Sequence, residues 1–186
     1  SIRISSELDN LESTSLFLKM IETLEDQQKT NTITTEDRKE IAGILWNKAL
    51  DKFYLNEFDI AIRWMQLSKS QVSDIDNKSQ SSCLRFISRC YYQEKRYSDA
   101  LSFSNKAIQI LPSCDYAYLL KFRILIETGN DGEAFDLVHD LINSSPYLEE
   151  FEPSFFTSVA FELHSNKNDD LALEILLKFY QLNFNS

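Results

Sequence analysis

Small residues recur along this chain at a spacing close to 34 residues. Ala134 follows Ala100 by 34 residues (134 − 100), Ala61 precedes Ala100 by 39, and Ala172 follows Ala134 by 38. A period of this length is typical of chains built from a repeated supersecondary unit. Alanine on the buried side of a helix lets a second helix backbone come close, because it presents no long side chain. The spacing therefore predicts a series of tightly crossing helix pairs.

The recurring residues fit the tetratricopeptide pattern, a helix pair of about 34 residues with small residues at about unit positions 8, 20 and 27 and a proline at about 32. If Ala100 is placed at position 20, Ala107 falls at 27, Pro112 at 32 and Ser88 at 8. The next copy places Gly129 at position 15, in the turn between its two helices. The pattern predicts an all-α fold, an α-solenoid in which neighbouring helix pairs complete each other's core.

The register and the helix-start signals give the extent of each element. Helices are predicted at 35–54, 57–72, 80–93, 97–110, 115–128, 131–144, 153–165 and 169–183. Thr34 and Asp37 have the spacing of a capping box at the first of these starts. We expect one solenoid piece of a longer polypeptide over 1–186, with an N-terminal helix at 10–30 and four repeats at 35–73, 80–112, 114–146 and 149–184.

Composition and charge restrict the functions open to this chain. It has only 3 Gly and 3 Pro, too few turn-forming residues for a β-sandwich, a barrel or an α/β enzyme. No apolar run is long enough to span a bilayer and no signal peptide is evident, which predicts a soluble intracellular protein without a membrane partner. The net charge of −10 disfavours direct binding of nucleic acid.

Residue types that carry catalysis or bind metals are too scattered to form a site. His139 and His164 have no cysteine or carboxylate at metal-ligand spacing, and the chain has no Gly-rich phosphate loop. Cys83, Cys90 and Cys114 lack CxxC spacing and are predicted to be buried free thiols. We therefore predict a protein that is not an enzyme and that uses no cofactor, no metal and no small-molecule substrate.

One stretch resembles a particular family. The sequence LWNKALDKFYLNEFDIAIRWMQLSKS combines W-N-x-A with A-x-x-W through Leu45, Trp46, Asn47, Ala49, Ala61 and Trp64. This combination is similar to repeats of the meiosis-specific tetratricopeptide scaffolds of the sporulation and zip type. The resemblance implies a nuclear, chromosome-associated scaffold that binds other proteins, organises crossover-promoting complexes and helps to start synaptonemal-complex assembly. The rest of the chain resembles tetratricopeptide proteins in general.

Candidate binding residues follow from the architecture, in which the first helix of each pair lines a groove with residues near unit positions 2, 5, 9 and 12. These positions form a basic and aromatic strip of Trp46, Leu50, Phe53, Arg85, Arg89, Tyr92, Tyr116, Arg123 and Ile126. Arginine beside tyrosine suits an acidic or aromatic peptide segment of another protein. Two alternatives stay open: the first three residues are core beneath the N-terminal helix, and the arginines are solvated surface.

Three classes of function are compatible with the sequence. A scaffold that holds protein partners is the first, with a subunit of an unrelated assembly such as a ubiquitin-ligase complex as its alternative. A chaperone adaptor is the second, but its carboxylate clamp needs Lys or Asn at unit positions 5 and 9, where the first unit has Trp46 and Leu50. An enzyme with a helical regulatory region is the third and would need catalytic sequence outside this chain.

Overall fold

A computed structural model describes residues 34–184 together with Lys19, except for the side chain of Phe184. Residues 34–184 form the helices α1 (Thr35–Tyr54), α2 (Phe58–Val72), α3 (Asn77–Gln93), α4 (Tyr97–Ile110), α5 (Asp115–Glu127), α6 (Asp131–Ser144), α7 (Pro153–Ser165) and α8 (Asp169–Phe184), with a 3₁₀ helix at Leu148–Glu150. No strand occurs in these residues, which confirms the all-α prediction. The helix predicted at 10–30 lies outside the described residues, apart from Lys19.

The starts of α1 and α3 are capped by side chains, and the cap of α3 explains a difference from the predicted bounds. The capping box at α1 is confirmed, because the Asp37 N–H donates to Thr34 Oγ1 at 3.1 Å and the Thr34 N–H donates to Asp37 Oδ2 at 3.0 Å. Helix α3 begins at Asn77, three residues before the predicted start at 80. The Asp76 carboxylate accepts hydrogen bonds from the N–H groups of Lys78 and Ser79, both at 2.9 Å, and so starts the helix earlier.

The chain divides into two compact units, Ser1–Ile75 and Asp76–Ser186. The first unit contains the pair α1/α2, and the second contains the pairs α3/α4, α5/α6 and α7/α8. Within the second unit α5 packs against both helices of the pair before it, while α7 packs against α5 and α8 against α6. The single solenoid over 1–186, with its four repeats, stays a prediction. Among the described helices, none is long and apolar enough to cross a membrane.

The helix backbones cross closely where the sequence places small residues. Ala61, Ala100 and Ala107 are fully buried, with no exposed surface. Across α3 and α4, the Ser88 hydroxyl donates to the carbonyl oxygen of Ala100 at 2.6 Å, and the Ser81 hydroxyl donates to that of Ala107 at 2.9 Å. A serine hydroxyl reaches a backbone carbonyl of the facing helix only when the two backbones nearly touch. These contacts confirm the tight crossing that the recurring small residues predict.

The third pair is built differently, because Phe122 stands at the position that carries a small residue elsewhere. With Ala134 at unit position 20, Phe122 falls at position 8, where the other pairs have Ala49, Ser88 and Ala160. The Phe122 side chain is 1% exposed and belongs to the core of the second unit. The backbones of α5 and α6 approach at fewer places than those of the other described pairs. The ring therefore fills a gap that direct backbone contact closes in those pairs.

All three cysteines are buried free thiols, as the sequence predicts. Burial raises the pKa of the Cys90 thiol to about 12, helped by the nearby Glu94 carboxylate and opposed by Arg89. Since the thiolate is the reactive form, Cys90 stays protonated and unreactive at neutral pH. The thiols therefore serve as small apolar groups in the helix packing.

A left-handed residue ends the first helix of every pair in the described part of the chain. The φ angles are 59° at Asn56, 59° at Lys95, 73° at Gly129 and 61° at Lys167. All four stand at unit position 15, five residues before the alanine at position 20. Glycine adopts this conformation freely, whereas a side chain with a Cβ is strained there. The repeat geometry thus imposes the same turn on Lys95 and Lys167, which do not favour it, as well as on Gly129 and Asn56, whose residue types adopt it more readily.

Replacing Gly129 by alanine is expected to lower the free energy of unfolding by about 1–2 kcal/mol, the cost of a Cβ in the left-handed region. No heavy atom lies within 4 Å of the added Cβ, so the cost comes from the backbone conformation alone. Gly132 is the matched control, because it is helical and its added Cβ also meets nothing. Gly132→Ala should leave stability unchanged or raise it by up to about 1 kcal/mol. Thermal melts that rank the two variants in the opposite order would contradict this assignment.

Candidate protein-binding face

The first helices of the three pairs in the second unit, α3, α5 and α7, lie side by side, with α5 in contact with both of the others. Side chains from all three form one surface, the first-helix face, which consists of Arg85, Arg89, Tyr92, Tyr116, Arg123, Ser154 and Glu162. Two rows of contacts cross the helices on this surface. The rows join residues that are more than 30 positions apart in the sequence, and so the face exists only in the folded repeat array.

The first row runs from Arg85 on α3 through Tyr116 on α5 to Ser154 on α7. The guanidinium carbon of Arg85 lies 5.2 Å from the centroid of the Tyr116 ring, which is the geometry of a cation–π contact. The hydroxyl oxygen of Tyr116 lies 3.3 Å from Ser154 Oγ, within hydrogen-bond distance. Tyr116 remains 45% exposed. The row therefore places a positioned cation and two hydroxyl groups next to one another on this surface.

Asp115 holds this row in place from beneath. Its side chain is buried, and Oδ2 accepts a hydrogen bond from the N–H of Glu152 at 3.0 Å while Oδ1 accepts one from the N–H of Tyr116 at 2.6 Å. Glu152 immediately precedes α7. The carboxylate thus ties the start of α5 to the start of α7, and this tie brings Tyr116 next to Ser154.

The second row consists of Tyr92 on α3 and of the ion pair between Arg123 on α5 and Glu162 on α7. Arg123 Nε donates to Glu162 Oε1 at 2.6 Å, in an ion pair whose side chains are 40% and 25% exposed. The Tyr92 ring packs edge-on against Tyr97, with centroids 5.9 Å apart. Burial raises the pKa of the Tyr92 hydroxyl, and the carboxylates of Glu127 and Glu162 add to this effect while Arg123 opposes it. Arg123 and both carboxylates therefore lie near the Tyr92 hydroxyl.

Six candidates lie in the second unit, all on first helices, and the structure brings some of them together. Ile126 is half-buried and packs against the core of this unit. Arg85 contacts Tyr116, whereas Arg123 contacts Glu162 and not another candidate. Arg89 lies one helical turn beyond Arg85 on α3 and is exposed. As a binding site for a peptide segment, this set stays a prediction, now with a defined geometry.

Of the three candidates in the first unit, only Phe53 is buried. Phe53 is 8% exposed, and its ring packs edge-on against Phe58 at a centroid distance of 5.3 Å. Trp46 and Leu50 are half-buried. Phe53 therefore contributes to the α1/α2 core, which agrees with the alternative that this trio has a packing role. Whether Trp46 and Leu50 also bind a partner stays a prediction.

Sequence reasoning missed two residues of the face and the buried Asp115 beneath it. Ser154 stands at unit position 2 of the fourth copy, so extending the register from Ala172 would have found it. Glu162 stands at position 10, outside the set of positions used, and only its contact with Arg123 identifies it. Asp115 has the ordinary appearance of an acidic residue at a helix start, and its role depends on the distant Glu152 backbone.

A second surface, of different character, lies between α7 and α8. This groove encloses about 390 Å³ and is lined by Thr157, Ala160, Phe161, His164, Asp169, Ala172, Leu173 and Leu176. Phe161 is 71% exposed and Leu173 58% exposed at its edge. His164 Nδ1 lies 2.6 Å from Asp169 Oδ1, and both residues line the groove. The groove is mainly apolar, whereas the first-helix face combines arginines, a carboxylate and tyrosines.

Comparison with protein families gives one match. The family described as meiosis protein SPO22/ZIP4 like matches residues 20–186, which is 167 of the 186 residues of the chain (186 − 20 + 1). A comparison with curated protein sequences gave no match. The matched range covers the first unit from residue 20 onward and the whole of the second unit, and it contains every residue of the first-helix face.

Comparison with solved structures gives helical-repeat proteins. A crystal structure of MamA is similar with a TM-score of 0.51 and 13% sequence identity, covering 81% of this chain and 87% of that one. A second structure, a MamA RS-1 double mutant, gives a TM-score of 0.50 and 13% identity, covering 78% and 76%. At this level of identity the likeness shows the fold alone, a tetratricopeptide-like array of helix pairs.

Proposed function

Because the chain belongs to the SPO22/ZIP4-like family of meiosis proteins, we propose that it is a non-catalytic scaffold that holds crossover-promoting and synaptonemal-complex assembly factors on chromosomes. Family membership and the tetratricopeptide-like fold support its role as a protein-interaction scaffold with a meiotic, nuclear setting. We propose in addition that it organises these chromosomal assemblies and that its partner binds as a peptide segment.

The observation that carries the proposal is the Arg85 row. An arginine fixed over a tyrosine ring loses less conformational freedom when a carboxylate binds, because its side chain is already positioned. Arg89 adds a second cation one turn further along α3. Charge-assisted hydrogen bonds to a carboxylate are about twice as strong as neutral ones, and exposed aromatic rings are favoured anchors at protein interfaces. The face therefore suits an acidic segment that also carries an aromatic residue.

Reversing both arginines, in the double variant Arg85→Glu/Arg89→Glu, is expected to weaken binding of an acidic, aromatic peptide at least about tenfold, because two charge-assisted contacts become repulsive. Binding should be measured by fluorescence anisotropy with a labelled peptide, and in parallel by recovery of partners from meiotic cell extract. Wild-type binding should also weaken as salt rises, through screening of exposed charges. Circular dichroism should be unchanged, since exposed charge changes rarely unfold a domain.

The matched control is Lys48→Glu/Arg63→Glu, which makes the same change in net charge at two exposed residues of the first unit. It should bind the peptide as the wild type does, apart from a small general electrostatic loss. If both double variants recover every partner equally well, the first-helix face is not the binding site. The apolar groove between α7 and α8 would then be the next surface to test.

A further inference from the structure

We infer that the first-helix face, if it binds peptides as proposed above, selects a segment of mixed charge rather than a purely acidic one. In this arrangement an acidic residue of the partner lies over Arg85 and Arg89 on α3. A basic residue lies over Glu162 on α7, about six positions away along an extended segment. Glu162 is then the residue that determines specificity.

The charges on the face change sign across the three helices. Helix α3 contributes Arg85 and Arg89, and helix α7 contributes Glu162. On the middle helix, Arg123 is bound through Nε to Glu162 at 2.6 Å, so its positive charge is largely compensated inside the face. An acidic side chain placed over α5 or α7 would therefore approach a carboxylate that is already present. Only the α3 side favours an acid.

Glu162 keeps the capacity to bind a partner while it holds Arg123. Only Oε1 of Glu162 accepts the hydrogen bond from Arg123, and within the described residues no hydrogen bond is made by Oε2. An ionised carboxylate can accept about four hydrogen bonds, so a lysine or arginine of the partner can bind alongside Arg123. The Glu162 side chain is 25% exposed, so most of it is desolvated while part of it remains accessible.

The charged groups that act on the Tyr92 hydroxyl also favour a cation from the partner. The Tyr92 hydroxyl has its pKa raised chiefly by burial, and of the charged neighbours Glu127 and Glu162 add to the rise while Arg123 alone opposes it. Two carboxylates thus act on this point against one guanidinium. A cation brought by the partner would be attracted there, and a further carboxylate would be repelled.

The spacing of the two charges in the partner follows from helix packing. Neighbouring packed helices have axes about 8–10 Å apart, so α3 and α7, which flank α5, are separated by roughly 16–20 Å. An extended chain advances about 3.3 Å per residue. Arg85 and Glu162 also lie in different rows, roughly 10 Å apart along the helix axes, so the two charges are about 19–23 Å apart. The acidic and basic residues of the partner should therefore be about six positions apart, with the aromatic residue between them.

The test compares two synthetic peptides, and each is made twice, once with the acidic residue nearer the N-terminus and once with it nearer the C-terminus. The mixed-charge peptide has an acidic residue, a central tyrosine and a lysine six positions from the acid, whereas the acidic peptide has glutamine in place of that lysine. Wild-type protein is expected to bind the mixed-charge peptide about tenfold more tightly, the effect of one charge-assisted hydrogen bond. Glu162→Gln should remove this preference, because the amide keeps the shape but lacks the charge. Glu174→Gln, at an exposed carboxylate on α8, should retain it.

Arg123→Gln separates direct binding from a structural effect of the ion pair. If Glu162 acts only by bracing α5 against α7, Arg123→Gln should lose the preference as Glu162→Gln does, and this result would overturn the inference. If Glu162 contacts the partner, Arg123→Gln should keep or increase the preference for the mixed-charge peptide. Thermal melts of both variants check that the fold persists.

The outcomes also distinguish this inference from the proposed function on which it rests. If wild-type protein binds both peptides equally and Arg85→Glu/Arg89→Glu weakens both, the face binds acidic segments and the inference about Glu162 is wrong. If neither peptide binds, or the double reversal changes neither affinity, the proposed function of the face itself fails.

Discussion

Phe122→Ala is expected to lower the free energy of unfolding by about 3–5 kcal/mol, the usual cost of removing a buried aromatic ring. The Phe122 side chain is 1% exposed and stands at unit position 8, where the other pairs carry alanine or serine. In those pairs the backbones already meet, but α5 and α6 approach at fewer places. The helices can close the resulting cavity only by shifting against their neighbours, which keeps the cost high.

Urea denaturation followed by circular dichroism measures this effect. The matched control is Phe161→Ala, which removes the same ring from a side chain that is 71% exposed, and it should change stability by less than about 0.5 kcal/mol. Similar denaturation midpoints for the two variants would show that Phe122 does not fill the gap between α5 and α6. The α3/α4 pair has Ser88 at unit position 8 and therefore no equivalent ring to remove.

The repeat register could be predicted from the sequence because it is a local and recurring property. Small residues at fixed spacing determine where backbones can touch, and the contact of Ser88 with Ala100 confirms this crossing at 2.6 Å. The register also places Asn56, Lys95, Gly129 and Lys167 at one position, although the two lysines are not recognisable turn signals. Periodicity therefore carries information about residues whose own chemistry gives none.

What could not be predicted depends on contacts between helices that are distant in sequence. From the sequence, Arg123 is expected to be an exposed cation. In the structure its Nε donates to Glu162 Oε1, 39 residues away, at 2.6 Å. From the sequence, Asp115 is an ordinary acidic residue at a helix start. In the structure it accepts a hydrogen bond from the backbone N–H of Glu152. The prediction of a basic strip was incomplete for this reason. Counting arginines along first helices omits the carboxylate that compensates one of them.

How closely two helices cross also depends on a contact between residues that are distant in the sequence. The alanine at position 20 recurs in every copy, which suggests four equivalent pairs, but the character of a crossing depends on both facing residues. Where position 8 is small, as with Ser88, the backbones meet, and where it is Phe122, a ring separates them. Overpacking and cavity formation should therefore be sought in different pairs.

Ala100→Leu is expected to lower the free energy of unfolding by about 1–3 kcal/mol, because it adds a large side chain where two backbones already touch. Ala100 has no exposed surface, and its carbonyl oxygen accepts the Ser88 hydroxyl at 2.6 Å. A leucine there must push α3 away from α4 and stretch this hydrogen bond. Ala134 is equally buried at the same unit position, but it belongs to the α5/α6 pair, so this argument from touching backbones does not extend to it.

The matched control is Ser102→Leu, which introduces the same side chain at an exposed position of α4, two residues from Ala100. Leucine is a good helix former, so this control should be neutral or slightly stabilising. For a chain of this size, about 1 kcal/mol corresponds to a shift in Tm of roughly 2–4 °C, so the two leucine variants should melt at clearly different temperatures. If they melt together, α4 does not cross α3 at Ala100, and the register that aligns all the repeats must be reassigned.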